Sequence, residues 1–105
     1  MRILIKEAGT KRVTDSVEIA HETGAVILVD TIGNKADIDN VSRSLGYRVN
    51  SVVTTADNLN SIWKDFDKVF LFNLDRLPIE DIPENIEVVG LSIQIPRGTG
   101  HVRGN

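Results

Sequence analysis

Ala25-Val26-Ile27-Leu28-Val29-Asp30 is an unbroken apolar run closed by an acid, and its lack of alternation decides the fold. A strand with one wet face alternates apolar and polar residues. A run that is apolar at every position needs cover on both faces, the environment of a strand inside a parallel sheet. Parallel neighbours in turn require long crossover connections, usually helices.

The flanks supply those helices. Upstream, Ile3-Leu4-Ile5 opens a first strand that ends near Glu7, with Ala8-Gly9-Thr10 as a turn. Val13, Val17 and Ala20 then recur at helical spacing over residues 13–23, and Gly24 can take the left-handed conformation that ends a helix. Downstream, Ile38, Val41 and Leu45 share a face, which predicts a second helix over residues 35–45 capped by Asn34 and closed by Gly46. Residues 48–54 read as a third strand. Thr55 is the expected cap of a third helix whose face is Leu59, Ile62, Trp63 and Phe66. Residues 68–73 read as a fourth strand and 86–95 as a fifth, closed by Pro96. Two prolines within 74–83 favour a loop or a single helical turn over a crossover helix.

The expected architecture is one α/β domain over residues 1–96: a three-layer sandwich around a mainly parallel five-stranded sheet of Rossmann-like type. A glycine-rich basic tail follows over 97–105. Composition bounds the function. The chain is 41% hydrophobic and 26% charged, which excludes a largely disordered protein. It holds no cysteine, so disulfides, thiolate metal sites and cysteine nucleophiles are excluded. A formal net charge of −3 gives no general attraction to nucleic acid. No stretch reaches the roughly 20 apolar residues needed to cross a bilayer, and Lys6 and Glu7 interrupt the first apolar run before a signal-peptide core forms. A cytoplasmic protein is expected.

Ligands of open parallel sheets bind beyond the carboxyl ends of the strands. Here those ends carry Glu7 to Lys11, Asp30 to Asn34, Thr54 to Asp57, Asn73 to Asp75 and Arg97 to Gly100. The first of these loops has parts of a phosphate grip: Gly9, Thr10, Lys11 and Thr14. A complete grip needs more glycine, so that successive amides wrap the phosphates, and a hydroxyl directly after the lysine for magnesium. The stretch is otherwise a basic, solvated turn before a helix.

The runs Glu22 to Asp30, Asn40 to Tyr47, Phe66 to Asp75 and Val88 to Ile93 resemble small P-loop NTPase-type proteins of bacteriophage, over roughly residues 13–96 and mainly in hydrophobic layout. That resemblance implies a Walker A loop after the first strand and a Walker B acid after a later one. The first loop is degenerate, and the Walker B-like strand ends in Asn73 with Asp75 two residues on; an amide cannot supply the carboxylate charge that helps hold magnesium. By resemblance, Lys11 and Thr14 would contact phosphate, Asp75 would be the metal-side residue, and the ligand would be ATP or ADP with magnesium.

The expected function is therefore a non-catalytic P-loop-like binding or regulatory module of phage or mobile-element origin, with a protein partner or self-association and a small anion or nucleotide as ligand. One alternative is a nucleotide- or phosphate-binding enzyme whose site is completed in an oligomer, using Lys11, Asp30, Asp75 and Arg97. Another is a self-associating structural subunit, since a small sheet has edges that need covering. Pro96-Arg97-Gly98-Thr99-Gly100-His101 has phosphate-loop glycine spacing without a following helix and reads as a flexible tail; a displaced loop completed by a neighbouring subunit is the alternative. His21 reads as a surface residue at a helix end. Asp37 and Asp39, two apart on a helix, do not form a carboxylate pair. Trp63, Phe66, Phe70 and Phe72 read as core.

Overall fold

A computed structural model describes residues 2–6, 10–54, 59–74 and 82–94. Along the chain the elements are β1 (Arg2–Lys6), α1 (Thr10–Thr23), β2 (Val26–Val29), α2 (Ile32–Ser44), β3 (Ser51–Val53), α3 (Leu59–Asp65), β4 (Lys68–Phe72) and β5 (Glu87–Gln94). The strands form one sheet in the order β1-β5-β4-β2-β3, and every neighbouring pair runs parallel.

The apolar run that opened the sequence reading lies near the middle of that sheet, and all four residues of β2 are buried. Its side chains alternate between two cores. Ile27 and Val29 pack with Val17 and Ala20 of α1, Ile38 of α2, and Phe70 and Phe72 of β4. Val26 and Leu28 pack with Ile62 of α3 and with Val69 and Leu71. Helices α1 and α2 therefore cover one face and α3 the other, giving three layers. The chain moves across the sheet in one direction through α1 and α2, then reverses through α3 on the opposite face, as right-handed crossovers require.

Helix ends differ from the expected positions for local reasons. Helix α1 starts at Thr10, so Lys11 and Arg12 belong to its first turn and not to a solvated turn ahead of it. It ends where Gly24, at φ 78, lets its amide reach Ala20 O at 2.9 Å. Helix α2 begins at Ile32, three residues earlier than the expected Lys35, because Thr31 is the cap and its hydroxyl accepts the Asn34 amide at 3.1 Å. The Asn34 side chain, expected as that cap, donates instead to Asp30 Oδ1 at 2.7 Å. Gly46, at φ 74, closes α2, as its position predicts. The third strand is shorter than residues 48–54, since it is an edge strand paired only with four-residue β2. The expected cap Thr55, the span 75–81 and the tail 97–105 lie outside the described residues.

One irregularity matters for the site. Val69 pairs with Val88, but Phe70 pairs with Gly90, so β5 carries an extra residue opposite β4. A one-residue offset reverses which face each later side chain meets. The offset sets Ser92 opposite Phe72; without it Leu91 would stand there.

Candidate functional site

The sheet order defines one place where connections diverge. After β2 the chain leaves toward β3, on the face covered by α2; β5, which follows β4 in the chain, stands in the opposite direction along the sheet. β2 and β4 are neighbours, so their carboxyl ends flank a topological switch point, the position at which open α/β sheets offer a crevice for ligands. Asp30 and Thr31 follow β2 there, and Asn73 and Leu74 follow β4.

Beside this point, across the ends of β4 and β5, lies Arg12. It projects from the first turn of α1 and is only 5% exposed. Its Nη1 donates to Asn73 Oδ1 at 2.5 Å and to Ser92 Oγ at 3.0 Å, partners 61 and 80 residues away in sequence. The guanidinium carbon stands 4.3 Å from the centroid of the Phe72 ring, so the cation also rests on an aromatic face. Burial lowers the Arg12 pKa, with the nearby charge of Asp30 acting the other way; a guanidinium stays protonated through such a shift. Burying a charge is tolerated only where polar groups replace its water, and the amide, the hydroxyl and the ring contribute to that here.

Backbone geometry supports the same cluster. Asn73 has φ 59, the left-handed region that a non-glycine residue enters at a cost and that asparagine tolerates better than most. Its amide donates to Ser92 O at 2.8 Å, which ties the exit of β4 to β5. Ser16, fully buried one turn after Arg12, donates its hydroxyl to Arg12 O at 2.8 Å and anchors that turn of α1.

The residues expected to form a site are divided by this geometry. Thr10 heads α1, and Lys11 in the same turn is exposed, while Thr14 is half-buried. Asp30 is exposed across the switch point and is held by Asn34. Asn73 is in the cluster itself. Gly9, Asp75 and Arg97 lie outside the described residues. Sequence reasoning missed Arg12 and Ser92, because an arginine beside a lysine looks solvated and a serine in an apolar strand looks incidental. A strand reading that located the β5 bulge at Val89 would have turned Ser92 toward α1.

Two other polar clusters lie away from this point. His21, exposed in the last turn of α1, stacks flat on Tyr47 with ring centroids 3.8 Å apart and planes 1° off parallel. Asp39 does not pair with Asp37. It accepts from the Ser51 hydroxyl at 2.6 Å and from Lys35 Nζ at 2.8 Å, which ties α2 to the start of β3.

Chemically, the ends of β4 and β5 carry a fixed cation, a neutral amide and a hydroxyl, with the Asp30 carboxylate nearby. That set suits recognition of an oxyanion. Among the described residues no group of three or more His, Cys, Asp or Glu side chains could hold a metal ion, and no helix is long and apolar enough to cross a membrane. Searches of protein-family models, of curated proteins and of solved structures found no match to this chain.

Proposed function

We propose that this chain is a non-catalytic binding or regulatory module on a P-loop-like α/β sheet, of phage or mobile-element origin, whose ligand is a small anion or the phosphate group of a nucleotide. The observation that carries this reading is the bond from Arg12 to the Asn73 side chain. A phosphoryl-transfer site of this layout needs a carboxylate at the end of such a strand, to hold magnesium and offset developing charge. Here the position is an amide that accepts from a buried guanidinium. Lys11 and Thr14 on α1, with Asp30 and Asn34 on the opposite rim, would frame the anion.

Calorimetric titration with ATP, ADP and GTP, with and without magnesium, alongside a phosphate-release assay, tests it. Binding without turnover is expected. Magnesium-dependent hydrolysis that disappears in Lys11→Ala would overturn it. The exposure of Asp30 beside the switch point favours one second reading, an enzyme whose site is completed in an oligomer with Arg97. Heat of nucleotide binding that vanishes when residues 97–105 are removed would select that reading.

A further inference from the structure

The β2 side of the switch point carries the wrong charge for a bare anion. Asp30 is exposed there, and its Oδ1 accepts from Asn34 Nδ2 at 2.7 Å. The backbone amide of the same asparagine donates to the Thr31 hydroxyl at 3.1 Å, so the residue that holds Asp30 is itself fixed in the first turn of α2. An ionised carboxylate only accepts hydrogen bonds, at about four positions, and Asn34 uses one. A ligand that met Asp30 with a phosphate would be repelled, whereas one that met it with hydroxyl groups would bond. We propose that Asp30 and the first turn of α2 form a seat for ribose, so that the phosphate bound by this chain belongs to a ribonucleotide whose 2′- and 3′-hydroxyls donate to Asp30. The proposal rests on the anion-binding reading above and names the rest of the ligand.

Two residues of the same turn fit a sugar better than an ion. Gly33 does not have the positive φ that favours glycine, and a Cβ built on it would meet nothing nearer than Thr31 Oγ1 at 4.0 Å. Neither backbone conformation nor crowding therefore calls for glycine there, and glycine weakens a helix relative to alanine. Its missing side chain instead leaves room for a ligand to approach the backbone closely. Ile32 stands beside it, 77% exposed, an apolar surface suited to the carbon face of a sugar and not to a hydrated ion.

Removing the hydroxyls from the ligand separates this seat from general attraction for anions. ATP and 2′,3′-dideoxy-ATP are titrated into the full chain, Asp30→Ala and Gly33→Ala, without magnesium and at fixed ionic strength. The full chain is expected to bind ATP about tenfold more tightly than the dideoxy form, the scale of one hydrogen bond to a charged group, and Asp30→Ala to bind the two alike. Gly33→Ala is expected to unfold at higher urea and yet to bind ATP more weakly, a pair of opposite signs that a merely structural glycine does not give. Equal affinities in the full chain, a preference that survives in Asp30→Ala, or unchanged ATP binding in Gly33→Ala overturns the ribose seat and leaves the anion-binding reading standing. No heat from the full chain with ATP, ADP, GTP or inorganic phosphate overturns both.

Should the variants fail to fold, the full chain alone still decides. The NMR resonance of its Asp30 carboxyl carbon is expected to move further with ATP than with 2′,3′-dideoxy-ATP. Equal movement with both ligands overturns the seat.

Discussion

Two polar clusters tie helices to this sheet, and they differ in almost every respect that governs energy. Arg12, Asn73 and Ser92 meet at the carboxyl end, where Arg12 and Ser92 are buried and the partners are far apart in sequence. Lys35, Asp39 and Ser51 meet where α2 packs on β3, and the two charged side chains are 38% and 36% exposed. Lys35 and Asp39 are four residues apart on one helix. The first cluster holds a charge that water cannot reach. The second holds a pair of charges that water can screen. Similar bonds at similar distances should therefore matter very differently, because a lost partner costs most where no solvent can replace it.

The largest effect is expected at Arg12. Arg12→Ala leaves the Asn73 carbonyl and the Ser92 hydroxyl without their guanidinium partner and strips the cation from Phe72. The buried Ser92 hydroxyl left unsatisfied costs about 1–3 kcal/mol, and the half-buried Asn73 and the lost packing on Phe72 add to it, so a loss of about 2–5 kcal/mol is expected in urea unfolding. That equals the cost of truncating a fully buried core residue such as Ile38, where Leu/Ile→Ala changes run about 2–5 kcal/mol. A change below about 1 kcal/mol would show that the buried cluster contributes no more than an exposed one.

Asn73 separates backbone from side chain. Both Asn73→Ala and Asn73→Gly delete the acceptor for Arg12, but only alanine must hold φ 59. Alanine is expected to be about 1 kcal/mol less stable than glycine at this position, the scale of left-handed strain. Equal melting of the two variants would mean that the exit of β4 relaxes to another conformation once the bond is gone.

How much of this was legible in the sequence follows from range. The layered parallel sheet could be read because Ala25 to Val29 and Val69 to Phe72 carry their burial in composition, and because Gly24 and Gly46 mark helix ends by a local property of glycine. The start of α2 was misplaced because two short polar residues, Thr31 and Asn34, compete for one cap and only the geometry of Asp30 shows which wins. Strand order, and with it the switch point, depends on pairings between distant segments that no local pattern encodes. Lys11, Thr14, Asp30 and Asn73 stand out in the sequence as polar groups at strand ends or beside them. Arg12 does not stand out, because its burial depends on Asn73, Ser92 and a one-residue bulge, three facts spread over the far half of the chain.

The smallest effects are expected in the exposed cluster, and they differ from the first in responding to pH and salt. Burial disfavours the Asp39 charge, but the hydrogen bonds from Lys35 and Ser51 and the charges of Lys35 and Arg43 outweigh it, so its carboxyl lies below the ordinary value. A carboxyl depressed on folding stabilises the protein above its unfolded pKa, about 3.9, and that contribution is lost as pH falls through the folded value. Asp39→Asn should therefore lower stability at pH 7 by about 0.5–1 kcal/mol, a figure kept small because over a third of the side chain meets water. The deficit should start to shrink below about pH 4, where the unfolded chain's carboxyl takes up its proton, and vanish only below the lower folded value. Lys35→Ala, which removes an i,i+4 pair, should cost about 0.3–0.5 kcal/mol in low salt and less in 1 M salt. If instead the Asp39→Asn deficit showed no decrease as pH fell below about 4, its origin would be the geometry of the Ser51 hydrogen bond and not the charge, and the two clusters would differ in burial alone.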